Sequence, residues 1–318
     1  MRSVNRQTFA TAVVLALTAC GNYSTEDLRF LAAVPSRDEL QVELPAATAT
    51  ATSAASAVSA CAGGTADTWL WAKPTSDHLN ATVDVLVGHV DFIRSHEPSW
   101  RQADARGWGP FPDARHPGRE LRVIMVRTFP AGQDGAPEFA YRVDARVAGS
   151  ATWTPVLAGT FHGASARSGA GELRLDFDAL WSLAMADADA PRGVLVAQYD
   201  RTTTPVTVSL VLDRDGYGLQ RFGYRFAGYE DRSGAFDYAF RNAAGDLLTV
   251  QAGFDAAGGG RAQVAFQAAG GASGGFRQCW DPAACLVYVD DPASYSCGAA
   301  PCSFGAMTAC PAVPAPPF

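Results

Sequence analysis

LQRFGYRFAGYEDRSGAFDYAFRN, residues 219–242, decides the fold. Aromatic rings stand at every second position on either side of a short polar loop: Phe222, Tyr224 and Phe226 before it, Phe236, Tyr238 and Phe240 after it. A period of two is the signature of a strand with one buried face. If Phe226 faces Phe236, then Tyr224 faces Tyr238, Phe222 faces Phe240, and all six rings point to one side. The same register sets Arg225 opposite Asp237 on the other side, an opposite-charge pair suited to a wet face. It leaves a tight loop around Glu230-Asp231-Arg232, and its cost is Arg221 opposite Arg241 near the strand ends. Inward-facing rings are either packed core or the lining of a cavity. Alternation of this kind is commoner in cores, but the hydroxyls of Tyr224 and Tyr238 are costly to bury without partners. A partly polar cavity would suit an amphiphile.

The period of two holds along most of the chain. Leu121, Val123 and Met125 alternate with Arg122 and Ile124; Phe139, Tyr141, Val143, Ala145 and Val147 alternate with Arg142, Asp144 and Arg146. Leu173 to Phe177, Val206 to Leu212 and Leu248 to Phe254 repeat the pattern, with turn residues such as AGSA, NAAGD and DAAGGG between runs. The expectation is about twelve antiparallel strands joined by short loops, interrupted by one or two helical turns in 178–191. So many twisted strands curl, into an open barrel or half-barrel.

One long helix is expected over 77–97, ended by Pro98. Val83, Leu86, Val87, Val90 and Ile93 share a face, while Val85 and Phe92 lie nearly opposite. A helix apolar on two sides is covered on both, which places it against the concave face of the sheet. His89 and His96 lie seven apart on this helix, whereas helical ligand pairs sit four apart, so they read as ordinary helix histidines.

The chain opens MRSVNRQTFATAVVLALTACGN. Arg2 and Arg6 precede an apolar run, Phe9 to Leu17, too short to span a bilayer, and small residues lead to Cys20. That is the layout of a secretory signal, residues 1–19. Removing it from the 318 residues leaves 299, enough for one large all-β domain. Residues 20–65 read as a tether, disordered over the Ala/Thr/Ser run 46–60, although Leu28, Phe30, Leu31 and the alternating Leu40, Val42 and Leu44 have enough apolar surface to dock. The domain proper is expected over 66–310, with a flexible tail at 311–318.

Net charge is −7 and the pI about 5.2, which argues against polyanion binding; no nucleic-acid partner is expected. Seven cysteines less Cys20 leave Cys61, Cys279, Cys285, Cys297, Cys302 and Cys310, up to three disulfides with fifteen pairings in an exported chain. Small loops Cys279–Cys285 and Cys297–Cys302, with Cys61 reaching Cys310, are the expected set. A zinc site is the competing reading, but CxxC spacing and nearby histidines are missing.

Motifs that carry chemistry do not stand out. No nucleophile elbow is expected, and HExxH, P-loop and post-strand GxGxxG signatures are absent from the sequence. Asp213-Arg214-Asp215-Gly216 lacks the third acid and distal Glu of a calcium loop and reads as a turn. The pairs Asp187/Asp189 and Asp290/Asp291 read as solvated loop acids. No metal, cofactor or catalytic residue is expected, and an enzyme is the least favoured class.

Leu17-Thr18-Ala19-Cys20 resembles the lipobox of bacterial lipoproteins, with Gly21 next. The resemblance implies cleavage before Cys20, acylation of that cysteine, and palmitate-type anchoring in the cell envelope, the outer membrane more than the inner. Two acyl chains suffice for stable anchoring. With the stretch Leu28 to Leu44, the loop WGPFPDA (108–114) and Cys279-Trp280-Asp281, the chain resembles a group of lipoproteins from high-GC bacteria. In architecture it is similar to the open barrels of the LolA/LolB group. These expectations converge on a lipid-anchored envelope protein that binds a hydrophobic or amphiphilic ligand against a ring-lined sheet. The alternative is a structural or protein-interaction module, contacting another envelope protein, with the same fold and a filled core.

Overall fold

In the computed structural model, the described residues are 23–41, 61, 63–70, 80, 83–84, 87–88, 92–129, 136–163, 165, 168–188, 190–213, 222–241, 244–292 and 302–317. They form one antiparallel sheet in which every strand pairs with its sequence neighbours. In chain order these are β1 (Trp100–Arg101), β2 (Ala105–Pro112), β3 (Arg119–Thr128), β4 (Glu138–Val147), β5 (Thr154–His162), β6 (Ala170–Asp176), β7 (Val194–Asp200) and β8 (Val206–Asp213). There follow β9 (Phe222–Gly228), β10 (Gly234–Arg241), β11 (Leu247–Phe254), β12 (Gly260–Gln267), β13 (Ser273–Trp280), β14 (Leu286–Asp291) and β15 (Cys302–Gly305). The sheet is unclosed, with β1 and β15 at its edges.

The meander has fifteen strands rather than about twelve. Part of the difference lies in WGPFPDA, read as a loop. Its first five residues belong to β2, where a register shift between Trp108 and Phe111 carries Gly109 and Pro110 out of the ladder. Gly109 has φ +92°, a left-handed conformation that suits glycine.

The expected single long helix is also corrected. The described helices are short: α1 (Thr25–Ala32), α2 (Arg37–Leu40) and α3 (Phe177–Ser182). Within 77–97, residues 80, 83, 84, 87 and 88 are helical, and the segment ends in a 3-10 turn at Phe92–Ser95. Pro98 disfavours helical backbone in the residue before it, so the last turn tightens before it is reached. Val83, Val87 and Ile93 are buried, as the apolar face requires.

Residues 23–41, read as part of a tether, are folded onto the sheet. Ser24 caps α1 with a reciprocal capping box: its hydroxyl accepts from the Asp27 N–H (3.1 Å), and its own N–H donates to Asp27 Oδ2 (2.9 Å). Glu26 pairs with Arg127 of β3 at 2.6 Å. Asp27, fully buried, receives Arg106 Nε at 2.6 Å and Arg101 Nε at 3.0 Å. Phe30 stands edge-on to Phe139 of β4 with ring centroids 5.3 Å apart. Burying such a ring contributes about 2–3 kcal/mol. Leu40 belongs to α2 rather than to a strand, and the Glu39 carbonyl accepts from Arg201 beyond β7 at 3.0 Å. The low-complexity run 46–60 lies outside the described residues.

The disulfides differ from the expected set. Cys61 bonds to Cys285 and Cys279 to Cys310. Cys285 follows the turn after β13 and forms a bridge with Thr65, so the segment from Cys61 runs beside it. Cys279 is in register with Arg261 and Gly253 on the outer face, and the C-terminal segment crosses that face at Gly253, where Val313 and Pro314 approach. The pairing follows from which segment passes each cysteine, not from loop size. Cys302 is also disulfide-bonded; Cys297, its expected partner, lies outside the described residues. The expected flexible tail is accordingly a docked segment over its described part.

Candidate functional site

The six-ring hairpin has the register its sequence implies: Phe226↔Phe236, Tyr224↔Tyr238 and Phe222↔Phe240, with Arg225 opposite Asp237 and ion-paired to it. The turn is closed by the Tyr229 N–H donating to the Ser233 carbonyl and the Arg232 N–H to the Tyr229 carbonyl, with Arg232 at φ +69°. The rings divide along the hairpin. Tyr224, Phe226 and Phe236 are buried; Tyr238 and Phe240 are half-buried; the side chain of Phe222 lies outside the described set. Tyr224 stacks on Phe236 at 6.1 Å, and Phe226 on Phe254 of β11 at 6.4 Å. Beside the half-buried pair, Leu212, Leu248 and Phe266 are also half-buried. The hairpin therefore runs from closed core at its turn to a partly open apolar margin at its base.

The inner face holds a second feature that the hairpin alone does not show. Tyr141 of β4 is opposite Gly159 of β5, and Tyr199 of β7 is opposite Gly171 of β6. A Cβ on Gly159 would fall 2.3 Å from Tyr141 Cζ, and one on Gly171 would fall 2.6 Å from the Tyr199 hydroxyl. Each ring leans over its glycine, one from β4 and one from β7, so the two hydroxyls converge above β5 and β6. Burial pushes the Tyr141 phenol well above its ordinary value, and the Tyr199 phenol adds to this. Burial likewise raises Tyr199, with Glu39 of α2 adding and Arg201 opposing. Tyr224 is raised well above the ordinary value by burial alone, and Tyr238 is raised by burial.

Among the described residues, the hydroxyls of Tyr141, Tyr199 and Tyr224 are buried without a hydrogen-bond partner. Leaving a buried hydroxyl unpaired costs about 1–3 kcal/mol. Three on one face of one sheet is a polar demand inside an apolar surface. The signal in the sequence was tyrosine at inward positions of the alternation, with glycine in the next strand. Tyr224 stands out in the sequence through the ring alternation of its hairpin, its partners being Tyr238 and Leu210; Tyr141 and Tyr199 carry only the alternation of ordinary strand residues.

Several of the other polar residues take part in local packing and hydrogen bonding. Gln278, buried on β13, accepts from the Thr68 hydroxyl (2.6 Å) and N–H (3.1 Å). It donates to Asp67 (3.3 Å), whose carboxyl is raised by burial, lowered by that bond, and raised by Asp291. His96 has Nδ1 2.8 Å from the Phe92 carbonyl and packs on Phe111 with centroids 4.7 Å apart; His89 lies outside the described residues. Asp290 and Asp291 alternate on β14, the first exposed and the second buried. Asp213 ends β8, while 214–216 and Asp189 lie outside the described residues. Among the described residues no group of three metal-ligating side chains occurs. No described helix is long and apolar enough to cross a membrane. Cys20 lies outside the described residues.

No family model, curated protein or solved structure matches this chain.

Proposed function

We propose that this is a lipid-anchored, non-enzymatic protein of the bacterial cell envelope, tethered through acylated Cys20, whose curled sheet binds an amphiphile against its inner face. One observation carries the reading: three tyrosine hydroxyls buried on that face without partners, set among aromatic and aliphatic side chains. An amphiphile supplies what such a surface lacks, polar atoms for the hydroxyls and chain for the rings. The half-buried margin at Leu212, Tyr238, Phe240, Leu248 and Phe266 is where it would enter. Disulfides between segments 224 and 31 residues apart support export to an oxidising compartment.

The test is binding of a fluorescent acyl probe to residues 21–318, exported behind a conventional signal. Saturable binding competed by phospholipid, and weakened at least tenfold by Phe240→Asp in a variant with unchanged circular dichroism, supports the reading. No saturable binding overturns it.

A second reading has its own observation. Phe30, Leu40, Trp69, Val83, Val87 and Ile93 join the inner face in one continuous core, with Trp69 and Trp280 centroids 6.3 Å apart. A core filled in this way suits a structural or protein-interaction module, and the same titration would then show no probe binding.

A further inference from the structure

We propose that the corner of the sheet formed by α1, β1 and the end of β3 rests on the phospholipid surface, so that the protein is both anchored to the bilayer and held against it in one orientation. The inference rests on the acylated Cys20 of the preceding section.

The first described residue, Tyr23, follows Cys20 closely in sequence. Tyr23 is pinned, its hydroxyl donating to the Arg94 carbonyl at 3.2 Å, and Ser24 caps α1. Asp27 and Glu26 then lock α1 to β1, β2 and β3 through Arg101, Arg106 and Arg127. Three residue steps separate Cys20 from Tyr23, and fully extended they reach about 10 Å. A lipid-modified Cys20 sits at the membrane interface, so Tyr23 and the start of α1 are held close to it.

The side chains there match what they would meet. Leu28 on α1 is 54% exposed, Trp100 on β1 39%, Val126 on β3 37% and Phe129 just beyond β3 63%. These are four of the eight large exposed hydrophobics among the described residues; Leu28 and Phe129 lie on the α1 side of the corner, and Trp100 and Val126 on the opposite face of the sheet. Phe129 is held by the Arg127 guanidinium, 5.2 Å from its ring centroid, and Arg127 in turn binds Glu26. Trp100 lies over Gly107, opposite it on β2, which leaves its other ring face outward. Exposed Arg29 and Arg101 are offset by Glu26 and Glu97, so local charge is nearly balanced. Attraction is therefore apolar and interfacial, in the manner of aromatic belts, with little salt dependence. The half-open margin of the sheet lies at the strand ends opposite to this corner, where β8, β10 and β12 finish.

The full chain, expressed in a bacterial envelope, is tested with p-benzoylphenylalanine at position 28, 129 or 269, the last an exposed site at the β12–β13 turn. All three positions are exposed, so the fold is retained. After purification into vesicles of phosphatidylethanolamine and phosphatidylglycerol, irradiation is followed by intact and peptide mass measurement. The expected result is acylated Cys20 with phospholipid adducts at 28 and 129 at least tenfold above those at 269. Acylated Cys20 with equal adducts at all three positions, or with protein adducts in place of lipid at 28 and 129, overturns the corner and leaves the anchor standing. Unmodified Cys20 overturns both.

Discussion

Tyr141 leans over Gly159, the residue directly opposite it on the next strand, so that a Cβ on the glycine would lie 2.3 Å from the ring. The arrangement recurs along the sheet: Tyr199 over Gly171, Phe254 over Gly234 and Trp280 over Gly260 are cross-strand pairs of the same kind. Glycine weakens a strand in isolation, but opposite an aromatic it gives the ring a floor. Large rings therefore lie along the sheet instead of standing on it.

Gly159→Ala should displace the Tyr141 ring and destabilise the protein by about 1–3 kcal/mol. Combined with Tyr141→Leu the alanine should cost much less, because the clashing atoms are gone. Chemical denaturation of the two single variants and the double variant measures the coupling; additive effects would show that the ring is free to move aside.

Asp27→Asn should remove about 3 kcal/mol by leaving Arg106 buried without its counter-charge. Burial alone would raise the Asp27 carboxyl. The Ser24 N–H, Arg106, the Ser24 hydroxyl and Arg101 more than reverse this and hold it at about 2, below the ordinary 3.8. The folded value is depressed, so the contribution is complete above about pH 4 and is lost as pH falls toward 2. Acid titration of stability should show a limb in that window that the Asn variant lacks.

Breaking Cys61–Cys285 should destabilise more than breaking Cys279–Cys310. The chain-entropy limit is about 5 kcal/mol for a loop of 224 residues and about 4 for one of 31. Paired Cys→Ala variants compared by thermal unfolding give the order. Loss of the second bond should also expose the outer face at Gly253 to hydrogen exchange, since Val313 and Pro314 cover it.

The buried phenols predict an alkaline limb. Their folded values are raised, so stability is complete below about pH 10 and falls as pH rises above it, where the unfolded chain ionises. Replacing Tyr141 and Tyr224 with Phe should flatten that limb in stability curves collected from pH 8 to 11.

The hairpin register was legible because six rings and one charge pair agree on a single alignment, and a slip of one residue would turn every ring outward. The docked N-terminal segment was harder. Ser24 and Asp27 form a capping box with Asp in place of the usual Glu, and what fixes α1 is arginines more than seventy residues away. The two long-range disulfides depend on which segments cross a strand end, which the spacing of cysteines does not encode. The convergence of Tyr141 and Tyr199 needed the register of four strands at once, with a glycine in each inner one.

The most direct test of the inner face as a binding surface is native mass spectrometry of residues 21–318, which retain every described element, beside Tyr141→Phe, Tyr199→Phe and Tyr224→Phe. A ligand-binding inner face should give a stoichiometric acyl or phospholipid adduct on the parent chain, reduced in these variants without loss of fold. A bare parent chain at its disulfide-bonded mass, with variants of equal or greater stability, would contradict it and make the tyrosines packed core.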